Sequence, residues 1–273
     1  MSHALRDTSE RLIPGTQTSV RQHLMYLRHR FAYEHAIAHL APQAAVIEVG
    51  CGEGYGTNML AQHVARVVGL DVDRQTVEYA GDKYGCEGCE FRVYDGRRIP
   101  FDDASFDAAV SFQVIEHIED DAHYVAEISR VLRPDGCLFL STPNGRLRVK
   151  PGKRPWNRHH VREYNPAELA SVLRRDFRDV HVLGVRGSDE AQRIELQRVK
   201  DILRVVALDP LNLRSVVPES VRQLIIRVIE KRKRTEKAGQ EEQSWRERFN
   251  VRDYFASEER VDESLDLYGV CRK

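Results

Sequence analysis

No stretch of this 273-residue sequence approaches the ~20 consecutive apolar residues of a membrane span. Residues 1–7 lack the apolar core that a signal peptide needs. Cysteine is scarce: Cys51, Cys86, Cys89, Cys137 and Cys271 are odd in number, and three of them stand alone in apolar or glycine-rich segments. That usage predicts free thiols in a reducing compartment, hence a cytoplasmic location. Cys86 and Cys89 have zinc-like spacing, but with no second pair a closed four-ligand site would have to recruit distant residues, so a loop is expected there. An excess of either charge is missing too. Lys plus Arg and Asp plus Glu both number 42, giving zero formal charge, which disfavours nucleic acid as the main partner. The basic run Lys231-Arg232-Lys233-Arg234 is ringed by Glu230, Glu236, Glu241 and Glu242, and reads as a solvated helix end. There is no internal repeat and no low-complexity tract.

What is present is an ordinary globular balance, 41% apolar and 31% charged, in a chain long enough for one large α/β domain with an insertion. Leu24, Leu27, Phe31, Ile37 and Leu40 recur at roughly helical spacing, which predicts an N-terminal helical cover over 19–40 that ends at Pro42. Short β-branched runs then alternate with helical segments. Strands are expected at 45–49, 66–70, 90–93, 106–112 and 137–142, with helices from about 54, from about 73 and near 121–132. This alternation implies βαβ units, a parallel sheet covered on both faces, and a ligand site at the carboxyl ends of the strands. After Pro143 a polar loop over 144–157 precedes a helix near 166–175 and a strand near 180–183. Residues 189–247 read as a helical insertion. Within it Val221, Leu224, Ile225, Val228 and Ile229 form one stripe, begun by Pro218. The alternating run 264–271 reads as the last strand, so the expected division is a core over 41–188, the insertion, and a return over 248–273.

The strongest local signal is Val46-Ile47-Glu48-Val49-Gly50-Cys51-Gly52-Glu53-Gly54-Tyr55-Gly56. A buried strand runs into four glycines at alternate positions and then into a helix. Glycine suits a loop where a cofactor presses on bare backbone. The order differs from the dinucleotide fingerprint G-x-G-x-x-G, and an acid ends the strand. That acid would repel a pyrophosphate but suits a ligand bearing ammonium and sulfonium charges, which describes S-adenosylmethionine. The second strand ends at Asp71, 21 residues beyond Gly50, where a carboxylate would hold a ribose diol. The third ends at Tyr94-Asp95-Gly96, where Asp95 would accept from an adenine amino group.

With Gly69-Leu70-Asp71, Ile99-Pro100-Phe101, Ser105-Phe106-Asp107, Val114-Ile115-Glu116-His117 and Val131-Leu132-Arg133-Pro134-Asp135-Gly136 in order, residues 40–145 resemble a class I S-adenosylmethionine-dependent methyltransferase. The resemblance implies a doubly wound α/β fold with a seven-stranded, mostly parallel sheet of order 3-2-1-4-5-7-6 and an antiparallel last strand at 264–271. It implies a cofactor-binding set of Glu48, Gly50, Cys51, Gly52, Gly54, Asp71, Val72, Asp95, Gly96, Phe112 and Gln113, with S-adenosylhomocysteine as product. The flanking segments Glu10–Gly15, Ser141-Thr142-Pro143-Asn144, His160-Val161-Arg162-Glu163-Tyr164 and Asp262–Leu267 are similar to bacterial sugar-, glycolipid- and polysaccharide-associated methyltransferases, glucosylglycerate methyltransferases among them. They imply a small-molecule acceptor with a hydroxyl on a sugar or glycoside, and leave the oligomeric state open, a homodimer included.

A hydroxyl acceptor needs a base near the mouth of strand four. His117, just past that strand, is the first candidate, and His160 in the loop after strand five is the second, beside His159. A divalent metal held by these histidines and Glu116 is a weaker expectation, because their spacing matches no recognised metal motif. No metal ligand is therefore assigned.

Overall fold

The strands at the centre of the chain are apolar on both faces, and the computed structural model, which describes residues 14–149, 155–207 and 244–273, shows what covers them. Successive side chains of a strand point to opposite faces. Val46 of β1 (Ala45–Val49), Val67 of β2 (Arg66–Asp71) and Ala108, Val110 and Phe112 of β4 (Phe106–Phe112) join one core. Ile47, Val49, Val68, Leu70 and Ala109 join the other. The first face is roofed by α1 (Val20–Ile37) and α2 (Tyr55–Ala61). The second packs on α4 (Asp121–Val131) and α6 (Pro166–Leu173), through residues such as Ile128 and Leu169. Such strands can sit only in a sheet covered on both sides, where the parallel arrangement is the rule.

Local signals account for the helix ends. Ser19 accepts from the Gln22 backbone N–H to start α1. Asn165 and Glu168 form a capping box around Pro166 to start α6. Helix α3 (Arg74–Tyr84) connects β2 to β3 (Cys89–Val93), and a short helix α5 (Gly145–Arg148) follows β5 (Leu132–Pro143).

The sheet has eight strands in the order β3-β2-β1-β4-β5-β8-β6-β7. Strands β1 to β5 are parallel, and β8 (Asp266–Arg272) runs antiparallel between β5 and β6 (Asp179–Gly187). The expectation of seven strands is thus corrected. The additional strand, β7 (Tyr254–Ser257), pairs with β6 through Gly184–Gly187 at the sheet edge. Four residues are too short a run for alternation to register in the sequence. What places them is tertiary: the buried Tyr254 hydroxyl donates to the Leu24 carbonyl of α1.

Helix α7 (Asp189–Ala207) occupies the first part of the stretch read as a helical insertion. The Val221–Ile229 stripe and the basic run 231–234 lie outside the described residues. Among the described residues no helix is long and apolar enough to cross a membrane.

Candidate active site

The carboxyl ends of β1, β2, β4 and β5 open beneath α1 onto one cavity of about 890 Å³, a size ordinary for small-molecule and cofactor sites. Its floor at β1 is Gly50-Cys51-Gly52, and the backbone N–H groups of Gly50 and Cys51 both donate to the Leu70 carbonyl, which locks the loop against β2. Gly52 has φ +50°, and a Cβ there would meet no atom within 4 Å, because it would project into the open cradle. Gly56 is glycine for another reason: a Cβ there would stand 2.0 Å from the Tyr33 ring. The alternate glycines therefore serve two purposes, bare backbone toward a ligand and close passage of the α1 roof.

Asp71 ties the two loops together. Its Oδ2 accepts from Gly52 N–H and its Oδ1 from Asp73 N–H, both at 3.0 Å. A carboxylate has about four lone-pair sites, so further acceptor capacity remains on the cavity wall. Beside it Val72 is 60% exposed, a large apolar side chain on the same wall. Tyr94 and Gly96 line the cavity, whereas Asp95 is not part of its wall. The Asp95 Oδ1 accepts from the Arg97 and Arg98 backbone N–H groups, and these bonds hold its carboxyl below the ordinary range. Gln113, at the tip of β4, takes φ +58°, rare for a side-chain-bearing residue, and lines the cavity with Phe112.

Glu48 does not face the cavity. It is 1% exposed, and its oxygens accept from the Tyr33 and Thr57 hydroxyls. Burial raises it to about 7 against the opposing pull of those two bonds. The motif acid thus latches the α1 roof and α2 to β1 instead of meeting a ligand cation directly.

On the other side of the cavity, His117 and His160 stand edge to face with centroids 4.8 Å apart. Both line the cavity, although 43 residues separate them. The link is backbone: Glu116 O accepts from Val161 N–H at 2.8 Å and so draws the histidine loop onto the turn after β4. His117 Nδ1 lies 3.0 Å from the His159 carbonyl, and His160 Nδ1 lies 2.7 Å from Glu163 Oε1. Hydrogen bonds of this kind put a proton on Nδ1, so that in the unprotonated ring the lone pair lies on Nε2. The Glu116 carboxyl is buried, accepts from the Thr142 hydroxyl at 3.0 Å, and is pushed by burial to about 8. Glu116, His117 and His160 each offer one ligand atom, all within 4.8 Å of one another, so the structure does assemble the set that the weaker metal expectation named.

Sequence reasoning passed over several cavity residues. Arg28, Arg148, Arg198 and Asp266 all line it, and Glu163 stands behind His160. A signal existed for one: Arg28 sits on the buried stripe of α1 between Leu24 and Ala32, and an arginine on an apolar stripe is seldom buried unless paired. The others become neighbours only through tertiary folding.

Residues 47–140 match the family model described as a methyltransferase domain. The chain is 42% identical over 171 residues to a protein of Mycolicibacterium smegmatis described as a probable S-adenosylmethionine-dependent methyltransferase, covering 62% of this chain and 64% of that one. To one of Mycobacterium tuberculosis with the same description it is 39% identical over 170 residues, covering 61% and 58%. The matched stretch thus spans less than two thirds of these relatives' lengths. Among solved structures, the YcgJ protein of Bacillus subtilis superposes with a TM-score of 0.53 at 18% identity, covering 90% of this chain and 99% of that one. The cyclase SpnF superposes with 0.54 at 17%, covering 89% and 80%. Those likenesses concern the fold, which here is that of the class I methyltransferases, and a fold shared with a cyclase does not by itself specify an activity. The cofactor is S-adenosylmethionine.

Proposed function

We propose that this chain is an O-methyltransferase that transfers the methyl group of S-adenosylmethionine to a hydroxyl of a small polar metabolite, a sugar or glycoside. The observation that carries the reading is that one cavity joins the Gly52–Asp71 cradle to the His117–His160 pair. The residues present suit the cofactor. Gly52 leaves open the volume that a side chain would fill, Asp71 has acceptor capacity for a diol, and Val72 offers an exposed apolar face for a flat base. When bound, S-adenosylmethionine supplies a methyl group on a positively charged sulfur.

The chain's own contributions are positional and proton-handling. Displacement at a methyl carbon requires donor and acceptor in line, and holding them so replaces a bimolecular encounter. The roof of α1, with Met25, His29 and Tyr33 on the cavity wall, limits water and favours a small acceptor over a polymer. The Nε2 lone pair of His117, oriented by its Nδ1 bond to the His159 carbonyl, accepts the acceptor's hydroxyl proton. His160, held by Glu163, stands beside it as the second proton-accepting group.

The test is calorimetric titration with S-adenosylmethionine, S-adenosylhomocysteine and NAD, followed by a glycoside screen read by mass for a single added methyl group. Binding of the two adenosyl ligands but not NAD, with methylation of a glycoside hydroxyl, is the expected result. Methylation only of RNA or protein would replace the acceptor class, and adenosyl binding without turnover on any acceptor would leave a binding protein instead of an enzyme.

A further inference from the structure

We propose that Arg148 and Arg198, beside Arg28, form an oxyanion subsite at the β8 end of the cavity that holds a carboxylate or phosphate carried by the methyl acceptor. This rests on the proposed function and names the acceptor class more narrowly.

The charges at this end of the cavity do not balance. Arg28 is neutralised: its guanidinium donates to Glu195 through Nη1 and to Asp266 Oδ2 through Nε at 2.7 Å. Those two carboxylates are the only acids that these three arginines engage among the described residues. Arg148 is 7% exposed, and its one ionic neighbour among the described residues is Asp266 Oδ1 at 3.7 Å, beyond hydrogen-bond reach. Among the described residues, Arg148 Nε and Asp266 Oδ1 are both buried without a hydrogen-bond partner, as is Arg198 Nε. Arg198 forms no ion pair among the described residues. Three guanidinium groups therefore face two carboxylates, and the positive charge left over lies on the buried Arg148 and the half-buried Arg198, whose guanidinium groups line the cavity. Burial first, and the neighbouring Arg148 charge second, push Arg198 down to about 10. Such an excess of positive charge suits an anionic ligand, since a charge drawn out of bulk water is best tolerated when it is paired and hydrogen-bonded.

The three arginines arrive from three segments, α1, α5 and α7, and all line the cavity. Converging guanidinium groups match the geometry of a carboxylate or phosphate, which take two N–H donors side by side. Their place in the sheet selects the occupant. Asp266 pairs with Pro143, so the cluster sits at the end of β5 and β8. From the glycine loop on β1 to β8 is three strand steps in the order β1-β4-β5-β8, roughly 14 Å at the usual strand spacing. The cluster thus lies beyond β4, on the His117–His160 side. The carboxylate of the cofactor's methionine portion shares the required chemistry, and the experiment separates it from the acceptor's own anion.

The experiment is calorimetry on the full chain saturated with S-adenosylhomocysteine, titrated with inorganic phosphate and, at matched ionic strength, with chloride. The expected result is saturable phosphate binding that weakens at least tenfold in Arg198→Gln and in Arg148→Gln, while both variants bind S-adenosylhomocysteine within twofold of wild type. A drop of tenfold or more in S-adenosylhomocysteine affinity would assign the arginines to the cofactor carboxylate and overturn the proposal. Phosphate heats no different from chloride, or unchanged in both variants, would overturn it also. Arg198→Met adds a second readout: with the unpaired charge removed, its melting temperature should rise in the absence of anion, and a fall would mean that Arg198 is already paired. Failure of wild type to bind S-adenosylhomocysteine would sink the methyltransferase reading itself; binding without any phosphate response would sink only the subsite.

Discussion

The hydroxyl of Tyr33 donates to Oε1 of Glu48 at 2.5 Å, joining the roof helix α1 to the end of the strand that carries the glycine loop. The ring lies over Gly56, which cannot carry a Cβ without striking it. Tyr33→Phe removes one of the two hydroxyl donors to a buried carboxyl and should lower stability by about 1–3 kcal/mol. Chemical denaturation at constant pH checks this, and an unchanged midpoint would mean that the latch contributes nothing.

The same acid predicts a pH dependence. Burial raises Glu48 from 4.5 to about 7 in the folded chain. Between those values the native state keeps a proton that the unfolded state has released, so stability falls as pH rises through this window and levels off above it. Glu48→Gln removes the titration. Its stability relative to wild type should climb from pH 4.5 to 7, by up to about 3 kcal/mol for a shift of this size. Denaturation curves for both proteins across that range are the measurement, and parallel curves would contradict it.

Gly52→Val should lower S-adenosylmethionine affinity at least tenfold. A β-branched residue at φ +50° is strained, and its side chain would enter the open cradle. Calorimetry reads the affinity, with circular dichroism to verify that the variant is folded. Normal affinity in a folded variant would place the cofactor elsewhere.

Val72 offers a cleaner separation of folding from binding. Because it is 60% exposed, Val72→Ala should change stability by less than about 0.5 kcal/mol. If an adenine covers the side chain, the same variant weakens S-adenosylhomocysteine severalfold. Equal affinity would remove Val72 from the site, and Asp71→Ala, which takes away the carboxylate beside it, should weaken binding more strongly.

His117→Ala should reduce kcat about 10²–10⁴-fold, the usual contribution of a general base, with S-adenosylmethionine affinity within twofold of wild type. His160→Ala should cost less. The reverse order would transfer the role to the His160–Glu163 pair, whose side chains are 8% and 0% exposed.

Exhaustive chelation should leave turnover in place, since Glu116, His117 and His160 each already engage an internal partner: Thr142, the His159 carbonyl and Glu163. Activity lost on chelation and restored by magnesium or manganese would make the cluster a metal site.

Much of the fold was legible before any coordinates. Strands 45–49 and 106–112 read correctly to the residue, because a strand buried on both faces is a short, mostly apolar run bounded by turn residues. The glycine loop was equally plain, since tight backbone turns demand particular residues at adjacent positions. Strand β7 was not: a four-residue edge strand carries no periodicity of its own and forms because β6 and Leu24 offer it partners.

The sequence by itself determined the alternation of strands and helices, the glycine loop, and the acid at the tip of β2, all of which are written in neighbouring residues. Only the tertiary structure decided which way Glu48 turns, that His117 meets His160 across 43 residues, and that Arg28, Arg148 and Arg198 line one cavity. Side chains brought together by separate elements leave no spacing rule in the chain. Their meeting depends on sheet order and helix packing, which are set by the burial of the whole apolar surface.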